Sequence, residues 1–258
     1  NVTAGLFSLN DKKNTWNVSG KLATSQLIGY LPDGKNQSGY SHNFSFGKTS
    51  GRFNFNVGQE LVNKKFNSND MGYFTNPNFI DHNAWVGYRW IKPTKVYNNI
   101  YLNLNVYHSR RLSPGDFQAA NINANVNGQL KNLWYVGMNA GYEPKGNNFY
   151  EPRLPGRVFR GWSNYFVGTW FETNNAKKYR MSAEMFMVDR SLFNSMRYSF
   201  FLSNRYRFNN KLTINHNLNY SPQRDNTGFA AITGADRDVV IFGRRDVKSV
   251  ENLLNIKY

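Results

Sequence analysis

Residues 197–220 constrain the fold most, because apolar and polar side chains alternate along them. Asn209, Asn210 and Lys211 interrupt the alternation and divide the stretch into two arms. The apolar positions of the two arms are Tyr198, Phe200, Leu202, Tyr206, Phe208, Leu212, Ile214, Leu218 and Tyr220. Because side chains on a strand point alternately to opposite faces, this pattern predicts a tight antiparallel hairpin with one apolar and one polar face.

The arms are longer than the strands of most globular domains. Each has about ten residues instead of the usual five or six, and a tilted strand needs about ten to cross a bilayer. The alternation recurs along the chain, and counting such spans gives about 14 strands. No apolar run approaches the roughly 18 residues of a transmembrane helix. Nothing in the 258 residues marks an interior linker, so one domain over 1–258 is expected.

The composition fits a membrane barrel better than a soluble domain. Aromatic residues make up 16% of the chain and stand beside very many asparagines, which suits rings facing lipid and amides facing a watery lumen. The net charge of +16 would ordinarily indicate a polyanionic partner, but the basic residues are spread along the chain, which argues against nucleic acid. The chain has no cysteine, so disulfides and thiolate sites are excluded.

Short and long connections alternate between the predicted strands, as they do in outer-membrane barrels. We therefore predict an all-β fold, an antiparallel up-and-down transmembrane β-barrel in the bacterial outer membrane. Lipid and lipopolysaccharide are the expected partners. The first connection is short, which would start the chain outside the cell, whereas barrel termini normally lie in the periplasm. The side on which the chain would start therefore predicts further strands beyond Asn1 or Tyr258, and an intact barrel of about 16 or more strands.

Seven basic residues are expected to face the lumen, because they fall in the polar phase of the pattern. They are Lys21, Arg52, Arg89, Arg180, Arg197, Arg205 and Arg207. Two interpretations remain open. The lumen could favour anionic solutes or dock an acidic plug. Alternatively, the arginines could pair with Glu60, Glu184 and loop carboxylates and stiffen the wall.

The sequence predicts no catalytic, metal or cofactor site. Its four histidines are His42, His82, His108 and His216, and none has the spacing of metal ligands. The first three fall at predicted strand ends or loops, which indicates rim residues. His216 falls in the apolar phase, where an imidazole is tolerated only near an interface or a protein contact. The glutamates are too scattered to form a glycosidase pair, and no spacing suggests a Ser-His-Asp triad.

Three strings extend beyond the general barrel pattern. They are FGKTSGRF at 46–53 followed by NDMGY at 69–73, YEPRLPGRVFR at 150–160, and FGRRDV at 242–247. Together they resemble the barrel portion of a Bacteroidota outer-membrane family of unknown function. Members of that family usually carry a carbohydrate-binding-like β-sandwich before the barrel. The resemblance implies location and fold, with an amino-terminal glycan-binding domain or other outer-membrane proteins as possible partners, but no catalytic residue.

The second of these strings also has a physical interpretation. Two prolines stiffen the segment, and its charged residues are Glu151, Arg153, Arg157 and Arg160. We expect a folded-in element or a docking surface there.

The favoured function is a non-catalytic channel or transport element, or a structural subunit of a larger outer-membrane complex. One alternative is a soluble, basic all-β protein that binds polysaccharide or nucleic acid. Another alternative is an outer-membrane barrel hydrolase, which would require a histidine with an acidic and a hydroxyl neighbour.

Overall fold

The chain forms one large antiparallel sheet and a small separate ribbon. The computed structural model describes residues 1–29, 34–68, 76–191 and 195–258. The strands are β1 (Val2–Asn10), β2 (Trp16–Leu27), β3 (Gln37–Lys48), β4 (Phe53–Val62), β5 (Phe79–Trp90), β6 (Tyr97–Arg111), β7 (Phe117–Leu130), β8 (Tyr135–Glu143), β9 (Asn147–Asn148), β10 (Phe159–Arg160), β11 (Asn164–Glu172), β12 (Tyr179–Arg190), β13 (Met196–Arg207), β14 (Thr213–Thr233) and β15 (Val239–Lys257). None of the described segments is a helix long and apolar enough to cross a membrane.

The topology is an up-and-down meander. The sheet has 13 strands, and its order follows the chain from β1 to β8 and then from β11 to β15, while β9 and β10 form the ribbon. The all-β, antiparallel prediction is confirmed. In the described chain β1 and β15 are the two edges of the sheet and do not pair with each other, so the sheet is open.

The end of the chain differs from the sequence prediction. A polar loop is expected at 221–238 with two short strands after it, but β14 runs through Thr233 and β15 is one strand of 19 residues. Register shifts between Gln223 and Asn226 and between Phe229 and Ala231 explain the error. Each bulge changes the phase of the alternation while the hydrogen-bonded ladder continues. The sheet therefore has 13 strands and not about 14.

The expected alternation of short and long connections is also only partly correct. The connections at 112–116 and 234–238 have no more residues than the β1–β2 turn at 11–15. The longest connection between strands of the large sheet is 144–163, and we call it the strap. The string NDMGY at 69–73 lies outside the described residues.

The exposure of the two faces is the reverse of that in a soluble sheet. On β6, Leu102, Leu104 and Val106 are 43%, 43% and 40% exposed, whereas the intervening Asn103 and Asn105 are more buried. We call these the apolar face and the amide face of the sheet. In the described chain, the buried hydrophobic residues are only Ala23, Val62 and Phe66. Within the part of the chain that the structure describes, the apolar face therefore packs against no second layer.

The sheet curls toward its amide face around the strap. Tyr150 donates its hydroxyl to the Pro77 carbonyl just before β5, and the adjacent Glu151 accepts from the Phe229 amide of β14. In a flat sheet, β5 and β14 would lie about 34 Å apart at about 4.8 Å per strand. Two adjacent residues are about 3.8 Å apart. Only a strongly curved sheet lets the adjacent residues Tyr150 and Glu151 contact both ends of this span. Because the strap lies on the amide side, the amide face is the concave one.

Candidate functional site

The concave amide face carries a ladder of side-chain hydrogen bonds between paired asparagines. Asn103 accepts from the Trp85 indole at 3.0 Å and donates to Asn125 at 2.8 Å. One level away, Asn105 donates to Asn123 at 2.9 Å. These strands place asparagine at alternate positions, so amides on neighbouring strands stand opposite one another and pair. The ladder satisfies polar groups on the sheltered face.

The ladder ends at Glu143, the last residue of β8. Asn123 donates to Asn121 at 2.7 Å, and Asn121 donates to Glu143 Oε1 at 3.0 Å. Asn164 of β11 donates to the other oxygen, Oε2, at 2.8 Å. The carboxylate is thus held by two neutral amides, with no cation paired to it in the described chain.

The seven basic residues predicted to face the lumen are distributed along the sheet. Lys21, Arg89 and Arg180 lie on β2, β5 and β12, while Arg197, Arg205 and Arg207 lie on β13 and Arg52 lies in the turn before β4. Strand pairing brings two of these positions together, because Arg180 and Arg205 stand directly opposite each other. Arg207 lies two residues from Arg205 on the same face of β13, and its charge also acts on Arg205, whereas the other four lie elsewhere. The basic residues therefore form separate sites and not one continuous track.

Several of these cations are bound to the chain itself. Arg180 pairs with Glu172 at 2.7 Å, and Arg205 donates to the Asn175 carbonyl at 2.7 Å. Arg89 donates to the Gly51 carbonyl at 2.8 Å and to the Asn54 side chain. No described ion pair involves Glu60 or Glu184, so the partner anticipated by the wall-stiffening interpretation is Glu172 instead.

We expect Glu172→Gln to destabilise the sheet by about 1 kcal/mol, because it removes the charge that offsets the Arg180–Arg205 pair while keeping a hydrogen-bond acceptor. The side chains of Arg180 and Glu172 are 24% and 31% exposed, so solvent screens the pair only partly. Equilibrium unfolding of the full chain measures the difference. Glu184→Gln, on the same face and without a described ion pair, is the matched control. Equal stabilities of the two variants would contradict the assignment of Glu172 as the stabilising ion-pair partner of Arg180.

The strap crosses the concave face and is anchored at several points. Phe159 stacks on Phe242 of β15 with ring centroids 4.4 Å apart. On the side nearest β7, Asn147 donates to the Phe117 carbonyl at 2.9 Å. Gly161 donates to Gly146 at 2.8 Å, which closes the base of the strap. These contacts fix the strap over the sheet.

Three of the four charged strap residues singled out from the sequence bind the chain itself. Glu151 accepts from the Phe229 amide at 2.9 Å, and the Arg153 guanidinium lies 4.4 Å from the Phe229 ring centroid. Arg157 donates to the Asp238 carbonyl at 2.9 Å. Arg160 is exposed and pairs in the ribbon with Asn147. The segment thus folds inward and docks on the long β14–β15 hairpin.

A cavity of about 730 Å³ lies between the strap and the amide face. Its lining includes Asp81, Tyr107, Glu143, Tyr150, Trp162 and Asn164. Tyr107 donates to Asp81 Oδ2 at 2.8 Å, while Asp81 Oδ1 and Asn164 Oδ1 are buried without a hydrogen-bond partner in the described chain. Burial raises the pKa of the Tyr150 hydroxyl above its usual value, so that group remains a neutral donor.

The four histidines are bonded to amides or lie against rings. Gln59 bridges His42 and His82 at 3.0 Å each, and the His82 and His108 rings are 6.1 Å apart. His216 bonds Asn252 at 2.9 Å. These contacts are not the His–carboxylate–hydroxyl arrangement of a hydrolase. No group of three His, Asp or Glu among the described residues could hold a metal ion.

Sequence reasoning missed the cavity. Asp81 and Glu143 come from strands β5 and β8, and Trp162 comes from the strap, so no local spacing connects them. One signal was available, because Glu143 is an acidic residue at the end of an asparagine-rich strand pair in a basic chain.

Comparison with known proteins identifies a family. A family model described as a domain of unknown function (DUF5916) matches residues 1–258. No curated protein matches the chain, and neither does any solved structure.

Proposed function

We propose that this chain, which belongs to the DUF5916 family, forms wall strands of a β-barrel in the bacterial outer membrane and acts without catalysis as a channel or transport element. The apolar face would contact lipid and lipopolysaccharide, and the amide face would line the lumen. Closure would come from strands that pair with the free edges of β1 and β15.

The observation that carries this proposal is the reversed exposure of the two faces. Leu104 is 43% exposed, while Asn105 on the other face is bonded and more sheltered. In water, a continuous apolar face of this size would drive association, because soluble monomers rarely expose patches beyond a few hundred Å². In a bilayer the same face lies in hydrocarbon, and the backbone hydrogen bonds between paired strands satisfy the backbone polar groups.

The position of the strap suggests that the lumen of such a barrel would be narrow. It crosses the concave face and is tied to β14 and β15 at Phe229 and Phe242. A lumen partly filled in this way would pass only small solutes or would serve mainly to hold partner proteins. A structural subunit of a larger outer-membrane complex, next to other outer-membrane proteins or an amino-terminal glycan-binding domain, is therefore the second candidate function.

Refolding of the full chain tests the membrane assignment. We expect the chain to fold from denaturant in detergent micelles or lipid vesicles and to aggregate in plain buffer. Circular dichroism and vesicle flotation measure these outcomes. A monomeric, folded protein in buffer would contradict the proposal and favour a soluble basic binder of polysaccharide or nucleic acid.

Bilayer conductance separates the two candidate functions once folding is established. A channel lined by uncompensated arginines would pass anions in preference to cations. Equal permeability would contradict a selective basic lumen, and absence of conductance would favour the structural subunit.

A further inference from the structure

The cavity beneath the strap is acidic, although the chain as a whole carries a charge of +16. Among the described residues of its lining, the charged ones are Asp81 and Glu143, and both are carboxylates. Neither forms an ion pair in the described chain. Their hydrogen bonds come from neutral donors only, namely the Tyr107 hydroxyl and two asparagine amides. A partly sheltered carboxylate of this kind is incompletely compensated.

Two hydrogen-bond acceptors of the cavity lining are unpaired in the described chain, and so is one donor at its margin, Arg190 Nε. Asp81 Oδ1 and Asn164 Oδ1 have no donor, and both belong to residues that line the cavity. Native structures leave few buried polar atoms unpaired, so each such atom calls for a specific explanation. A ligand rich in N–H groups would supply the missing donors after small side-chain rotations.

Two arginines, Arg111 and Arg190, lie near the cavity. Arg111 lies 3.7 Å from the Asp116 carboxylate and 4.8 Å from the Phe149 ring centroid. Arg190 stands opposite Asn164 on the neighbouring strand, with its guanidinium 5.2 Å from the Trp162 ring centroid. Both lie against aromatic rings at the margin of the cavity and form no ion pair with Asp81 or Glu143 in the described chain, although the charge of Arg190 acts on Glu143 from a distance.

Aromatic rings complete the lining. Tyr107, Tyr150, Phe159 and Trp162 all border the cavity. Aromatic faces attract cations through the ring quadrupole, by about 0.5–2 kcal/mol depending on desolvation. The carboxylates, the unpaired acceptors and the aromatic rings therefore all favour a positively charged ligand.

We propose that this cavity binds an aliphatic polyamine, with one ammonium group near Asp81 and another near Glu143. The two carboxylates belong to strands three positions apart, which gives about 14 Å between backbones in a flat sheet and less in this curved one. Each side chain leans toward the other strand, because Asp81 bonds Tyr107 and Glu143 bonds Asn121, and those two residues are directly paired. An extended polyamine spans this separation, whereas a single amine reaches one carboxylate.

Calorimetric titration of the folded full chain in detergent tests the proposal with spermidine as the probe. We expect spermidine to bind, and Asp81→Asn and Glu143→Gln each to weaken binding about tenfold or more, because each removes one of the two anions. Triethylene glycol, a neutral chain of matched length, and maltose, a neutral sugar, are expected not to bind. The matched variant control is Glu184→Gln, on the same face but outside the cavity lining.

The titration results decide whether the cavity binds a polyamine, attracts any cation non-specifically or binds a sugar. Absence of spermidine binding by the unmodified chain would overturn the proposal, as would an equal loss of affinity in the Glu184→Gln variant, which would indicate non-specific charge attraction. Binding of maltose in place of spermidine would show that the cavity recognises hydroxyls. Circular dichroism of each variant verifies folding. The titration requires no membrane conductance, so its failure is distinguishable from failure of the proposed channel.

Discussion

Leu104→Arg is expected to lower the free energy of unfolding by about 2–4 kcal/mol when the chain is folded in a bilayer, because arginine at the hydrocarbon midplane is costly on the lipid face of a barrel. Leu104 is near the middle of the 15-residue strand β6, and its side chain is 43% exposed. Reversible urea unfolding in lipid vesicles measures the change.

Asn105→Arg is the matched control, because the next residue of the same strand faces the other side. It loses one amide hydrogen bond, to Asn123, and we expect a cost of about 1 kcal/mol or less. If the sheet faced water on both sides, Leu104→Arg would change stability by less than about 0.5 kcal/mol, as most surface substitutions do. Equal effects of the two substitutions would contradict the lipid-facing assignment.

Gly39→Val is the second substitution with a large expected effect. Gly39 lies on β3, and a Cβ atom there would collide with the backbone of Lys65 and Phe66. Backbone cannot rotate aside as a side chain can, so the loop that carries Phe66 must move. We expect a loss of about 3 kcal/mol in the free energy of unfolding, at the upper end of typical overpacking costs.

The cost includes disruption of the small buried cluster. Phe66 is 8% exposed and packs with Ala23 and Val62. Gly5→Val is the control, because Gly5 is also in a strand and a Cβ atom at that position would have no neighbour within 4 Å. Valine suits strands, so Gly5→Val should be neutral or slightly stabilising. Similar losses for both variants would show that close approach to Phe66 is not the reason for glycine.

The sequence predicted the faces of individual strands well where both neighbours of a strand are present. On β6 and β7 the period of two places leucine, isoleucine and valine on one side and asparagine on the other, as in the structure. It failed at β14 and β15. Beyond Gln223, the described residues of β14 pair with β15 and not with the described part of β13, and bulges shift the phase of β14. The alternation therefore disappears while the strand continues.

The strap shows a different kind of limit. Its length and its prolines predict a long, stiffened loop, and its charges indicate docking, but they do not specify the partner. Glu151 bonds a backbone amide 78 residues away, and Arg157 bonds a carbonyl 81 residues away. Backbone groups are the same at every residue, so no sequence signal identifies which one a side chain will reach.

The sequence by itself determined the antiparallel strands and the polarity of their faces, because side-chain direction on a strand depends only on position along it. The tertiary structure alone decided the curvature of the sheet, the inward path of the strap and the acidic cavity between them. These depend on contacts between strands several positions apart in the sheet, and the free energy of such contacts depends on geometry that no local pattern encodes.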